Sequence, residues 1–375
     1  MPTLSVATKP KRLRLTTMAT LALGFAAMSM QAYAYTYSVT NLGTLGGSYS
    51  TAYGLNDSGQ VVGYAATGTN EQRAFLWSSG SITDLGISNS IATGINNSGQ
   101  IVGYSGSTVS NNQAFIYSGG SVTTIPSLGG GTSVATAINN NGQVTGYLTG
   151  LDGQQQAYIY NGGNTTGLGT LGGSSSYGYA INNSGDVTGK SYTAGFASYP
   201  AFAYSNGSMS GVDTLGGSFG VGMGNNDSGA IVGYSSTSGN NQQAFLYNGS
   251  QTIGLGTLGG TDSYAYDINN SGSIVGYAAY ADNQQRAFIS GSNGLIDLNT
   301  MIDPNSGWNL FEARAINNNG QIVGFGLFNG EGRAFLLSPV TAVPEPETYA
   351  MLLLGLGIVA LVATRRKSAR QTLIG

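Results

Sequence analysis

The chain has 375 residues, among them 61 glycines and 23 tyrosines, with 8% charged side chains and neither cysteine nor histidine. It therefore has no thiol or imidazole for nucleophilic or base chemistry, no disulfide framework, and no cysteine- or histidine-ligated metal site. Between residues 35 and 343 five basic side chains (Arg73, Lys190, Arg286, Arg314 and Arg333) stand against fourteen acidic ones, a balance that gives nucleic acid or anionic lipid no electrostatic footprint.

In chain order, Lys9, Lys11, Arg12 and Arg14 precede an apolar stretch from Leu15 to Met30, and Ala32-Tyr33-Ala34 ends it in small residues. This order reads as a secretory signal peptide over residues 1–34, removed by signal peptidase before Tyr35; a retained anchor is the alternative. A short strand follows at Val39–Leu42.

Seven copies of one unit fill residues 35–340. Each carries Asn-(Asn/Asp)-(Ser/Asn)-Gly, a pair rich in β-branched residues, and Gly; the turn glycines Gly59, Gly99, Gly142, Gly185, Gly229, Gly272 and Gly320 are spaced by 40, 43, 43, 44, 43 and 48 residues. In the copy around Gly99, the segments Ala92–Ile95, Ile101–Tyr104, Gln113–Tyr117 and Ser121–Thr123 read as four short strands, here a to d. Four strands in a period in the forties make one propeller blade. The Asn of the turn is expected to accept local backbone hydrogen bonds while its Gly takes positive φ.

Strand a places small residues at two repeated positions, Ala52 and Gly54 in the first copy and Ala92 and Gly94 in the second. A period of 2 puts both on one bare face, which suits the crowded centre of a propeller, so strand a is expected innermost. The opening Val39–Leu42 matches strand d and the closing Arg333–Leu337 matches strand c. The chain thus predicts an all-β, seven-bladed propeller of four-stranded blades, closed by the N-terminal strand and leaving no open sheet edge at the seam. An open solenoid has no reason to split one unit between its ends.

Chemistry is harder to find. Two GxGxxG matches, at 167–172 and 254–259, lie between strands with no helix to receive a pyrophosphate. The carboxylates Glu71, Asp152, Asp282, Glu312 and Glu331 are candidates for paired acid and base work and are expected in different blades. The turns carry at most one carboxylate each, such as Asp57 or Asp227, which suits capping better than calcium. No cofactor or metal is expected. Tyr64, Tyr104, Tyr147, Tyr234, Tyr277 and Phe325 recur after strand b, with Lys190 the exception, and read first as packing between blades. Candidate ligand contacts lie where loops vary, on the face of the b-to-c and d-to-a connections: Tyr192, Phe196, Tyr199 and Tyr280. The last d-to-a connection is longer and is expected to contribute Trp308 and Phe311, either as a sugar platform or as a plug at the seam.

At the C-terminal end, residues 341–348 contain Val343-Pro344-Glu345-Pro346, residues 349–364 are an apolar run, and residues 365–375 begin with Arg365-Arg366-Lys367. The run reads as a short transmembrane helix: about 23 Å at ~1.5 Å per residue, against a hydrocarbon core of ~30 Å. The basic residues after it place the tail in the cytoplasm.

This tail resembles the PEP-CTERM sorting signal of Gram-negative bacteria. The resemblance implies processing by an exosortase, transient anchoring in the inner membrane, a final site at the cell surface or outside the cell, and an exopolysaccharide and biofilm context. The units resemble the HAF family of bacterial extracellular repeats through Arg-Ala-Phe at 73–75, 286–288 and 333–335 and Gln-Ala-Phe at 113–115 and 243–245, with Arg or Gln where that family's histidine stands. That resemblance implies an extracytoplasmic repeat protein. The expected function is a non-enzymatic scaffold or glycan-binding module; a carbohydrate-active enzyme using loop carboxylates and a purely structural matrix protein are the alternatives.

Overall fold

Tight turns fold each repeat into an antiparallel meander, and the described residues form twenty-eight strands in seven four-stranded sheets. The computed structural model describes residues 36–340 except 197, 283, 292 and 293, with the backbone alone at 109 and 196, and also residues 355–356. The signal peptide, the Pro-Glu-Pro segment and the basic cluster lie outside these residues. Of the apolar run only Gly355 and Leu356 are described, in helical conformation. Among the described residues no helix is long and apolar enough to cross a membrane.

The first blade runs Gly46–Leu55, Val61–Thr67, Gln72–Ser78 and Ser81–Ser88 in spatial order. The seventh takes Trp308–Ile316, Ile322–Phe328 and Glu331–Pro339 from the end of the chain and Tyr37–Asn41 from its start. Tyr37 pairs with Pro339 and Asn41 with Phe335, antiparallel, so the N-terminal strand closes the sheet as expected. Ser50 ties the seam further: its Oγ accepts from Ala334 N at 3.0 Å and donates to the Gly43 carbonyl at 2.6 Å.

Strand a of every blade touches strand a of both neighbours, so the seven form the inner ring. A Cβ on Gly54 would lie 3.0 Å from the Gly94 Cα, and one on Gly224 would lie 2.9 Å from the Asp267 Cα. The small residues are therefore required by neighbouring backbones. The strict alternation expected of this strand does not hold. Ala52 pairs with Gly63 and Gly54 with Val62, leaving Tyr53 as the extra residue of a β-bulge, and the same shift recurs in all seven blades. The bulge explains the glycine that follows each β-branched pair: a Cβ on Gly63 would meet the Thr51 carbonyl oxygen at 2.0 Å.

Seven buried clusters fill the spaces between adjacent blades. The aromatic of strand c anchors them: Phe75, Phe115, Tyr158, Phe202, Phe245, Phe288 and Phe335 are fully buried, each stabilising by about 2–3 kcal/mol through burial.

The Asn-x-x-Gly turns do more than cap. In the first turn Asn56 Oδ1 accepts from Ser58 N and Gln60 N, and Gly59 has φ +75°. Its Nδ2 also donates to the carbonyl of Asn96 in the next blade at 3.1 Å. The pattern continues from Asn96 to Asn139, Asn182, Asn226, Asn269 and Asn317, and Asn317 donates back to Asn56. A second circle runs outside it, each backbone N–H at the second turn position donating to the side-chain oxygen of the next, from Asp57 through Asn318 and back. Two closed belts of hydrogen bonds thus lock one end of the molecule.

Candidate functional site

The end opposite the Asn belts carries the b-to-c and d-to-a connections, because in a four-stranded meander those loops share one side. It is rich in partly exposed aromatic rings. The tyrosines expected after strand b lie within it, as Tyr64 does in Val61–Thr67 and Tyr147 in Val144–Thr149, and are half-buried; some do bridge blades, as in Tyr147 against Tyr177 at 5.0 Å and Tyr234 against Tyr264 at 4.6 Å. They are not the main filling between blades, a role that falls to the strand c aromatics.

Two basic side chains sit within this aromatic surround. The Arg314 guanidinium lies 4.3 Å from the Tyr266 ring and 5.3 Å from the Tyr53 ring, and pairs with Glu312. Both Arg314 and the two tyrosines occupy or flank bulge positions of adjacent inner strands, so the bulge aims them together. Burial works against the arginine's charge, but Tyr266, Glu312 and Tyr53 outweigh it and raise its pKa. Burial also pushes the Tyr53 phenol up to about 12, so these phenols stay neutral hydrogen-bonding groups at physiological pH. Arg314 Nε is buried without a hydrogen-bond partner. A cavity of about 280 Å³ opens beside it, lined by Tyr49, Tyr53, Tyr64, Glu312 and Phe325 among others.

Lys190 lies in the fourth blade, with its Nζ 4.8 Å from the Tyr177 ring and 5.6 Å from the Tyr199 ring. Burial lowers its pKa. A cavity of about 510 Å³ is lined by Asn112 from the b-to-c connection of the second blade, Thr132, Tyr147, Thr149 and Gln155 from the third blade and Tyr177 from the fourth, among others.

Of the candidates from sequence, Tyr199 stacks on Phe219 at 5.3 Å and meets Tyr192 at 5.4 Å. Tyr280 is 40% exposed and has the Arg286 guanidinium 4.4 Å over its ring. Phe196 belongs to the short 3-10 turn Ala194–Phe196. Trp308 and Phe311 are not in the last d-to-a connection, as expected, but in the inner strand Trp308–Ile316. Trp308 pairs with Phe328 and packs on Phe328 and Phe335 at 5.2 and 6.0 Å, while Phe311 lies 6.2 Å from Phe325. The extra length of that connection goes instead into a 3-10 turn, Leu298–Met301, capped by Asp297.

The candidate carboxylates divide differently from expectation. Glu312 and Glu331 belong to one blade, the seventh, and both lie on strands. Glu71, Asp282, Glu312 and Glu331 each meet an arginine. Asp152 caps its own loop by accepting from Gln154 N at 3.0 Å. Among the described residues no group of three acidic side chains is placed to hold a metal. Sequence reasoning missed Tyr53, Tyr266 and Arg314, whose shared bulge position was hidden by assuming regular alternation.

Comparison with known proteins bears on the tail and on the fold. The PEP-CTERM protein-sorting motif matches residues 342–367, and it implies export and processing by an exosortase. No curated protein matches the chain. Similar solved structures include a Mycobacterium tuberculosis puromycin-hydrolyzing peptidase, 10% identical with a TM-score of 0.52, covering 83% of this chain and 52% of that one. The Pyrococcus horikoshii acylaminoacyl peptidase is 11% identical with a TM-score of 0.47, covering 76% and 52%. The six-bladed, fucose-recognising Aleuria aurantia lectin is 14% identical with a TM-score of 0.36, covering 70% and 94%. The chain spans about half the length of the two peptidases. At such identities the likeness shows the propeller fold alone.

Proposed function

We infer that this protein is an exported, non-catalytic surface or matrix propeller of the HAF type, which binds glycans on its aromatic face in an exopolysaccharide setting. Signal peptidase removes residues 1–34. The apolar run at 349–364 and the tail at 365–375 hold the chain in the inner membrane until an exosortase cuts near Val343 to Pro346. The observation that carries the binding role is the aromatic face itself: half-exposed tyrosines, two cations and cavities of about 280 and 510 Å³, opposite an end where the Asn belts surround a smaller cavity of about 190 Å³. Aromatic faces match the apolar faces of pyranose rings, and nearby polar groups orient their hydroxyls. The Arg73 hydrogen bond holds the Glu71 carboxyl below its ordinary value, the opposite of what a general acid needs, and Asp282, Glu312 and Glu331 are each engaged by an arginine, which supports a non-catalytic role.

The test is retention of the full-length, detergent-solubilised protein on immobilised polysaccharides, with reducing ends assayed in the same samples. Retention without release of reducing ends is expected. Tyr199→Ala should weaken retention with a smaller loss of melting temperature than Trp308→Ala, because Tyr199 stacks on Phe219 alone of the neighbouring strand whereas the Trp308 ring packs on both Phe328 and Phe335 at the seam. Release of oligosaccharides would establish an enzyme instead, and no retention on any polysaccharide would leave a purely structural role.

A further inference from the structure

Four of the five basic side chains of the propeller have acidic partners: Arg73 with Glu71 and Asp84, Arg286 with Asp282 and Asp297, Arg314 with Glu312, and Arg333 with Glu331. Lys190 has none among the described residues; its half-buried ammonium meets only the faces of Tyr177 and Tyr199. Cation–π contacts recover part of the lost hydration and leave room for an anion. Tyr177 has Lys190 against its ring and is also the fourth blade's one contribution among the residues that line the 510 Å³ cavity on the third blade. In that cavity Gln155 Oε1 is buried without a hydrogen-bond donor, while its Nε2 reaches Thr132 and Thr149 at 3.4 Å. The cavity has two aromatic walls, Tyr147 and Tyr177, and an acceptor lacking a donor; Lys190 is not in its lining but lies against the ring of the Tyr177 wall, 4.8 Å from its centre.

We propose that this cavity is a subsite for an acidic sugar, with the pyranose ring against Tyr147 and Tyr177, a hydroxyl donating to Gln155 Oε1 and the carboxylate meeting Lys190. The assignment rests on the glycan-binding reading above and narrows it to uronate-bearing polymers. A free inorganic anion has no use for the aromatic walls, and a neutral sugar leaves Lys190 without a counter-charge. A buried polar group left unpaired is costly, so a ligand that completes both groups at once is selected over one that completes neither.

The experiment titrates the full-length chain in detergent with a short galacturonic acid oligomer, with its carboxyl-reduced counterpart and with a sulfated form of that counterpart. Wild-type protein is expected to bind the uronate oligomer at least tenfold more tightly than the reduced one, with the difference shrinking as salt rises. Lys190→Met should reduce the preference to within twofold, and Lys190→Arg should keep most of it, which shows that charge rather than folding is at issue. Gln155→Leu should weaken the uronate oligomer severalfold. A uronate preference that persists in Lys190→Met, or its absence from the wild type while the reduced oligomer still binds, overturns this subsite and leaves the glycan reading standing. Sulfated oligomer binding as tightly as uronate overturns the choice of carboxylate. No binding of any oligomer by the folded protein ends both readings.

Discussion

Position one of every repeated turn is Asn, whereas position two is Asn or Asp, and hydrogen-bond polarity accounts for the difference. The first residue must donate through Nδ2 to the next blade's carbonyl, which a carboxylate cannot do; the second need only accept, which both side chains can. Asn139→Asp should therefore destabilise by about 2 kcal/mol or more, since it buries a charge facing the Asn182 carbonyl. Asn140→Asp, one residue on, should stay within about 0.5 kcal/mol. Equal melting temperatures for the two variants would refute the belt. Asp267 offers a pH test. It stands where other blades have Gly or Ala; burial is the largest influence on it and pushes its carboxyl up to about 6, against hydrogen bonds from Ile316 and Ile268. Because the folded state holds this proton more tightly than the unfolded chain, its contribution favours folding at low pH and is lost as pH rises from about 4 to about 6, by roughly 1–3 kcal/mol. Subtracting the stability of Asp267→Asn from that of the wild type should expose the fall; a difference that stays flat across this window rejects it.

At the scale of the element, the seam depends on one five-residue strand, Tyr37–Asn41. Without it, Glu331–Pro339 presents a row of unpaired backbone groups, and the buried Leu42 and Tyr37 leave the two clusters they join. Removing residues 35–43 should lower the melting temperature and produce oligomers or aggregates on gel filtration. A monomer with unchanged stability would show that the Asn belts alone close the ring. The inner strands teach a different lesson. Their small residues were readable because Ala and Gly recur in every copy, but the bulge was not, since one extra residue leaves no mark on a pattern of small side chains. The Arg314 cluster sits on bulge positions, which regular alternation does not show, and Trp308 joins the inner strand through its pairing with Phe328, which the length of the connection does not reveal.

At the scale of the whole molecule, the tail predicts the protein's fate. Mass spectrometry of surface or secreted material should find chains ending near Pro344 to Glu347 and lacking Leu352 to Arg370; recovery of the intact C-terminus alone would favour a permanent anchor. The sequence by itself determined the number of blades, the order of their strands, the closure by the N-terminal strand and the sorting motif. These are local patterns repeated at fixed spacing, and chain order alone turns them into topology. Only the tertiary structure decided which side chains meet across blades: the two Asn belts, the Tyr53–Arg314–Tyr266 sandwich and the contact of Tyr147 with Tyr177. Such contacts join residues of different repeats, 40 or more positions apart in the belts, and their geometry depends on bulge and blade angle, which no single repeat encodes.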